Sequence, residues 1–444
     1  MRARRVSVAL AAALVACAVA PVASAVAYDG DRVSSLPTVG PVSTPQFAGY
    51  ASASSTSCAN LMCTDRPGLF YWMFGRSANY ASQPTIVWSN GGPGSSSFYG
   101  PLTENGPYDV DPSGGLVPNP NSWTKAANYL FFDHPLGVGL SFPFRGQIAH
   151  NMRQGIGGLY NALVHVVARR GLQRSRLFLT GESLGGTYMP LLAQRILDAQ
   201  SRRATHLRLG GVIIAAGFVD PLVQVSTTAQ YAYDHGLIDA RQKARLDQVL
   251  ARCRRLMRGP PPSSPAATNT CFSIQNKIAE WSGRYLANIG QTSDIDYTPL
   301  LNYINRPDVR AALHAKPNRK FSLFSPTVGK AYERGGMDSY LNVVAQLLNR
   351  GVPVMVLTGL NDAKDTNLLG TRAWIARMRW RGAARFRAAP RRQWREGKNG
   401  IVLGYVRRGG GLTTLDVIGA GHLAVRDQPK ILDQVRAFMA RSGR

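Results

Sequence analysis

Arg176-Leu177-Phe178-Leu179-Thr180-Gly181-Glu182-Ser183-Leu184-Gly185 runs from an apolar stretch that reads as a buried strand into residues 188–199, which carry helical periodicity. Its end has the form Gly-x-Ser-x-Gly between a strand and a helix. A tight strand-to-helix turn needs small residues beside the serine. It lifts Oγ to the carboxyl edge of a sheet, beside a helix N-terminus that favours developing negative charge. The plain alternative is a glycine-rich turn with an incidental serine, but the strand before and the helix after are the context the motif requires. Ser183 is therefore the candidate nucleophile.

A serine hydroxyl is a weak nucleophile, so it needs a base, and the base needs an orienting carboxylate. Of seven histidines, only His422 lies between a C-terminal strand and the last helix, in Ile418-Gly419-Ala420-Gly421-His422-Leu423, where a glycine-rich loop can carry imidazole over the sheet edge. His134 follows a strand in Phe132-Asp133-His134-Pro135 and is a candidate for the cleft wall. The remaining five sit in polar or helical contexts. For the acid, Val356-Leu357-Thr358-Gly359-Leu360-Asn361-Asp362 runs a strand into a turn, with Asp362 at its carboxyl end and Asp365 as the rival. Serine, acid, histidine is the chain order of α/β-hydrolases.

Composition widens the reading. The 444 residues carry 52 Lys+Arg against 25 Asp+Glu, a net charge of +27, with 45% hydrophobic residues. That excludes disorder and fibrous repeats and supplies a large core, either in several domains or in one α/β domain with an insertion. The charge suggests an anionic partner and says nothing about fold.

Met1-Arg2-Ala3-Arg4-Arg5, an apolar stretch over 6–20, Pro21 and Ala23-Ser24-Ala25 read as a secretory signal over 1–25, whose removal leaves +24. Leu14-Val15-Ala16-Cys17 offers a rival reading, a lipobox with Cys17 lipidated. No other segment is long and apolar enough to span a bilayer. Four further cysteines in an exported chain read as disulfides, paired locally as Cys58 with Cys63 and Cys253 with Cys271; a zinc site is the poorer reading. The absence of an Asn-x-Ser/Thr sequon fits bacterial export.

Residues 26–57, rich in Ser, Pro, Ala and Gly, read as a loose arm. An α/β core follows over 58–221, with strands at 69–74, 85–88, 128–132, 176–180 and 209–216 and a helix over 150–170. A mainly helical insertion occupies 222–345 and includes a proline-rich loop at 260–265. The core resumes over 346–444, with strands at 354–357 and 413–418 and a closing helix over 429–439. The expected architecture is a mostly parallel central sheet flanked by helices, with a helical cap.

Several motifs in order resemble the serine carboxypeptidase family of α/β-hydrolases. Trp88-Ser89-Asn90-Gly91-Gly92-Pro93-Gly94-Ser95-Ser96 is similar to that family's W-x-N-G-G-P-G-C-S loop, and Glu104-Asn105-Gly106-Pro107 to its E-x-G-P turn. Asn119-Pro120-Asn121-Ser122-Trp123, Asp133 to Gly139, Gly181 to Gly186, Pro307 to Leu313 and Gly419 to Pro429 resemble further family segments. The resemblance implies a Ser183–His422–Asp362 triad and an oxyanion hole from the backbone N–H groups of Gly92 and Leu184. It also implies a site for the substrate's free C-terminal carboxylate, built from Asn90, Glu104 and Glu182 with Trp88 in support. Two acids can bind an anion when they share protons, because a protonated carboxyl donates a hydrogen bond and neighbouring acids raise each other's apparent pKa. Peptides with a free C-terminus are the implied substrates, cleavage should weaken as pH rises, and no cofactor or metal is implied.

Three departures stand out. The family's Tyr after the nucleophile is Leu184, its loop Cys is Ser95, and the segment from Asp362 to Gly370 is one residue longer. An esterase or acyltransferase on the same scaffold is one rival function, against which both glutamates speak. A basic polymer-binding protein is another: Arg377, Arg379, Arg381, Arg385, Arg387, Arg391, Arg392 and Arg395 lie between Arg372 and Lys398, interleaved with Trp380, Phe386 and Trp394. Such a cluster suits an anionic envelope surface. Specific nucleic-acid binding is not expected, since no nucleic-acid-binding fold is recognisable.

Overall fold

A computed structural model describes residues 30–54, 68–143, 148–260, 263–317, 319–397 and 399–442. The signal peptide, Cys17 and the Cys58–Cys63 pairing fall outside the described residues.

The strands are β1 Arg32–Leu36, β2 Gly40–Ser52, β3 Gly68–Phe74, β4 Thr85–Ser89, β5 Tyr108–Val110, β6 Leu116–Pro118, β7 Asn128–Phe132, β8 Arg176–Glu182, β9 Arg208–Ala215, β10 Val354–Gly359, β11 Arg391–Arg395, β12 Val402–Gly409 and β13 Leu412–Val417. Eleven form one sheet in the order β1-β2-β3-β7-β4-β8-β9-β10-β13-β12-β11, and β5 pairs with β6. From β7 to β13 all neighbours are parallel. Antiparallel strands extend both edges. The parallel strands are buried on both faces, which is why β4, β7 and β10 read as continuous apolar runs rather than alternating ones.

Before the cap come α1 Tyr99–Thr103, α2 Met152–Arg169 and α3 Gly185–Ser201. Between β9 and β10 lie α4 Pro221–Asp234, α5 Ala240–Arg258, α6 Pro265–Ser282, α7 Thr298–Asn305, α8 Pro307–Ala312, α9 Pro326–Ala331 and α10 Leu341–Asn349. Cys253 on α5 is disulfide-bonded to Cys271 on α6. After β10 come α11 Leu368–Arg377, α12 Ala383–Ala388, α13 Ala424–Asp427 and α14 Ile431–Arg441.

The loose arm expected over 26–57 is corrected: residues 32–52 are β1 and β2, and β2 joins the sheet by pairing Gln46–Ser52 with β3. Pro41 and Pro45 fall before that pairing, where a missing N–H is tolerated. Phe47, Ala48 and Ala51 then turn inward and are buried. Asp31 anchors the entrance, accepting a hydrogen bond from the Tyr71 hydroxyl and pairing with Arg170 at 2.9 Å.

The basic segment also differs from its linear reading. Trp380, Phe386 and Trp394 are buried, so the arginines are not interleaved with exposed rings; Trp380 and Phe386 border a cavity instead.

Chain order fixes where a site can form. From β4 the chain passes to β7 on one side, then returns to β8 on the other. The gap between the carboxyl ends of β4 and β8 is therefore a topological switch point, where open α/β sheets hold their ligands. Ser89 pairs with Gly181 there, so Asn90 and Glu182 leave the sheet side by side.

Candidate active site

Ser183 sits at the end of β8 with φ of 56°, a left-handed backbone that non-glycine residues adopt at a cost. Hydrogen bonds hold it there: its N–H donates to the Ala215 carbonyl at 3.0 Å, and its own carbonyl accepts from Gly186 and Phe218. The flanking glycines are required by contact. A Cβ on Gly181 would lie 1.9 Å from the Gly185 carbonyl oxygen, and one on Gly185 would lie 2.4 Å from that of Ser89.

His422 and Ser183 line the same cleft, of about 460 Å³. Asp362 is fully buried, and its Oδ2 lies 3.0 Å from His422 Nδ1. The geometry thus favours Asp362 over Asp365, whose buried carboxyl is pushed above the usual range by desolvation. Thr366 went unnoticed in the sequence. Its hydroxyl donates to Asp362 Oδ2 at 2.7 Å and lies 2.9 Å from His422 Nδ1, positioned to accept from it.

The cap holds both loops. Ala363 N–H donates to the Leu286 carbonyl, His422 N–H to that of Ala287, and Ile289 N–H to that of Asn361. Asp427 accepts from Asn288 and from Gly421 N–H, each at 2.8 Å. A short backbone segment beside α6 therefore sets the spacing of acid and histidine, which no local pattern reveals.

Gly92 reaches the cleft from the loop after β4. Gly91, not singled out by sequence, packs on the serine turn, where a Cβ would lie 2.4 Å from Leu184 N. Asp133 clamps the far end of this loop by accepting from Ser96 Oγ at 2.6 Å and Ser97 N–H at 3.0 Å, and burial pushes its carboxyl up to about 6. One expectation changes. His134 does not line the cleft; it is buried with its ring edge-on to Tyr188, and desolvation lowers it to about 4. Leu184 is buried in the apolar core.

Asn90 organises the floor beside Ser183. Its Oδ1 accepts from Trp88 Nε1 at 2.8 Å and Gly100 N–H at 3.1 Å, which fixes the amide's orientation. Its Nδ2 donates to Glu182 Oε1 at 2.9 Å and Glu104 Oε1 at 3.1 Å. The other oxygen of each glutamate receives no donor from the rest of the protein, and the two carboxyls hydrogen-bond each other, which requires a proton between them. Burial raises both acids; Glu182 is driven well above the usual range, first by desolvation and then by the charge of Glu104.

A family model for serine carboxypeptidases matches residues 37–441. The chain belongs to the serine carboxypeptidase family. This family of serine-type hydrolases includes a member from Dictyostelium discoideum that is 28% identical over 411 residues, covering 89% of this chain and 95% of that protein. A serine carboxypeptidase-like protein from Arabidopsis thaliana is 31% identical over 351 residues, 78% of this chain and 77% of its own. The crystal structure of a prohormone-processing carboxypeptidase from Saccharomyces cerevisiae superposes with a TM-score of 0.77 at 21% identity, over 90% of this chain and 91% of that one, and shares its α/β-hydrolase fold. Ser95 bridges Phe324 of the cap, and backbone bonds from Ser96 to Leu323 and from Ser325 to Gly94 tie the loop down.

Proposed function

We propose that the protein is an exported serine carboxypeptidase that removes C-terminal residues from peptides and works best at acidic pH. In this reading Ser183 Oγ attacks the scissile carbonyl and His422 takes its proton. Asp362, steadied by Thr366, orients the imidazole and stabilises its charged form. The N–H groups of Gly92 and Leu184 receive the developing oxyanion. His422 returns the proton to the departing amine, and water then repeats the sequence on the acyl-enzyme.

The observation that carries exopeptidase action is the Asn90–Glu104–Glu182 cluster, buried beside Ser183 with its two carboxyls bonded to Asn90 and to each other. A substrate carboxylate can accept from protonated Glu104 and Glu182, which satisfies all three carboxyl groups. As pH rises and the shared protons leave, the same cluster becomes repulsive, so substrate binding weakens. Export rests on the signal-like stretch at 1–25.

Release of the C-terminal residue from an N-blocked dipeptide, compared with cleavage of its C-terminal amide at acidic pH, tests this reading. The free acid should be cleaved at least ~10-fold more efficiently, the worth of one charge-assisted hydrogen bond or more. Equal efficiency would remove carboxylate recognition and favour an esterase or acyltransferase.

A further inference from the structure

A second cavity, of about 470 Å³, shares no lining residue with the catalytic cleft. It lies between α11 and α12 and the sheet face formed by β10, β13, β12 and β11. Strand register explains its chemistry. Val356 pairs with Thr414, Thr414 with Arg407, and Arg407 with Arg391; one step along, Thr358 pairs with Asp416 and Asp416 with Tyr405. Polar and charged side chains thus stand on a sheet face that helices partly cover, where an apolar row would be expected.

The charges do not balance. Arg391 and Arg407 oppose each other across β11 and β12, a like-charge pair that destabilises a ladder. Arg372 and Arg387 from the helices add to the same walls, giving four guanidinium groups around one carboxylate, Asp416. Asp416 Oδ2 takes Arg372 at 2.9 Å and Arg391 at 3.0 Å, leaving Arg387 and Arg407 without an acidic partner among the described residues. The guanidinium groups are also pre-set by rings: Arg391 stacks 3.5 Å over Tyr405, and Arg407 lies 5.6 Å over Phe386. Ile375 and Trp380 complete an apolar side.

We propose that this cavity binds a phosphate monoester carried on an apolar or aromatic group. A net excess of three positive charges suits a dianion better than a single carboxylate, and the planar fork of arginine suits its oxygens. The volume lies within the roughly 300–1,000 Å³ of small-molecule sites, and the rings offer a surface for the ester group. Occupation would relieve the Arg391–Arg407 repulsion.

Calorimetric titration of the full chain with phenyl phosphate, benzoate and inorganic phosphate tests the assignment. Phenyl phosphate should bind, with benzoate and inorganic phosphate each about ten-fold weaker. Arg407→Gln should weaken phenyl phosphate by about ten-fold while leaving thermal stability unchanged or higher, because it removes one of two opposed like charges. Arg387→Gln, an exposed change on α12, should weaken it in the same direction and serves if the strand variant does not fold. Asp416→Asn should tighten binding by freeing Arg372 and Arg391, the opposite of what loss of a purely structural acid would do. Absence of binding, or binding that neither arginine variant alters, overturns the proposal.

Discussion

Replacing Glu182 by Gln isolates the shared protons on which carboxylate binding is argued to depend. In the wild type both glutamates are buried, Glu104 at 6% and Glu182 at 3% exposure, and both are raised by desolvation, Glu182 further by Glu104. Below the pair's raised values the carboxyls donate to the substrate. As pH climbs through those values the donors become anions, and KM rises. Losing one charge-assisted hydrogen bond is worth about 1.5–3 kcal/mol, so KM should rise by roughly 10–100-fold across the transition. Glutamine keeps a donor at every pH and takes out the acid that is raised most, leaving Glu104 raised by burial. Glu182→Gln should therefore flatten the KM profile on its alkaline side. Stability follows the same sign. Acids raised in the folded state contribute stability that is present below the ordinary carboxylate range and is lost as pH rises through the folded values. The variant should accordingly lose less thermal stability than wild type between acidic and neutral pH. KM measured on a blocked dipeptide across that range, with parallel thermal unfolding, gives both readouts. A variant profile parallel to wild type would refute the shared-proton argument.

Thr366→Val removes one hydroxyl that touches both Asp362 and His422 but spares their direct contact; kcat should fall by about 10-fold with KM little changed, on steady-state assay. Gly91→Ala forces a Cβ to 2.4 Å from Leu184 N and pushes the loop off the serine turn; kcat should fall by about 10²-fold, consistent with a displaced oxyanion donor, at retained circular dichroism. Cys253→Ser opens a disulfide spanning 18 residues, and denaturant unfolding should report a loss of about 2–4 kcal/mol.

The core strands were readable because parallel strands buried on both faces leave long apolar runs, as in Thr85 to Trp88 and Val354 to Leu357. The nucleophile, histidine and acid were readable because each ends a strand in a turn with its own local signature. β1 and β2 were not: their inward residues are sparse among Ser, Pro and Gly, and pairing with β3 supplies the order that local propensity lacks. Thr366, Gly91 and the Leu286–Asn288 support act across long sequence separations, so only the folded chain brings them to the site. In the arginine-rich stretch, sequence showed the charge but not which side chains turn inward. The fold buries the aromatics and gathers Arg372, Arg387 and Arg391, with Arg407 from β12, around Asp416.

The most direct test of the central claim is release of the C-terminal residue from a blocked dipeptide by wild type and Ser183→Ala at acidic pH, with folding checked by circular dichroism. Wild type should release the residue, and the equally folded variant should show no release above background. Release by Ser183→Ala at a rate near wild type would contradict the account.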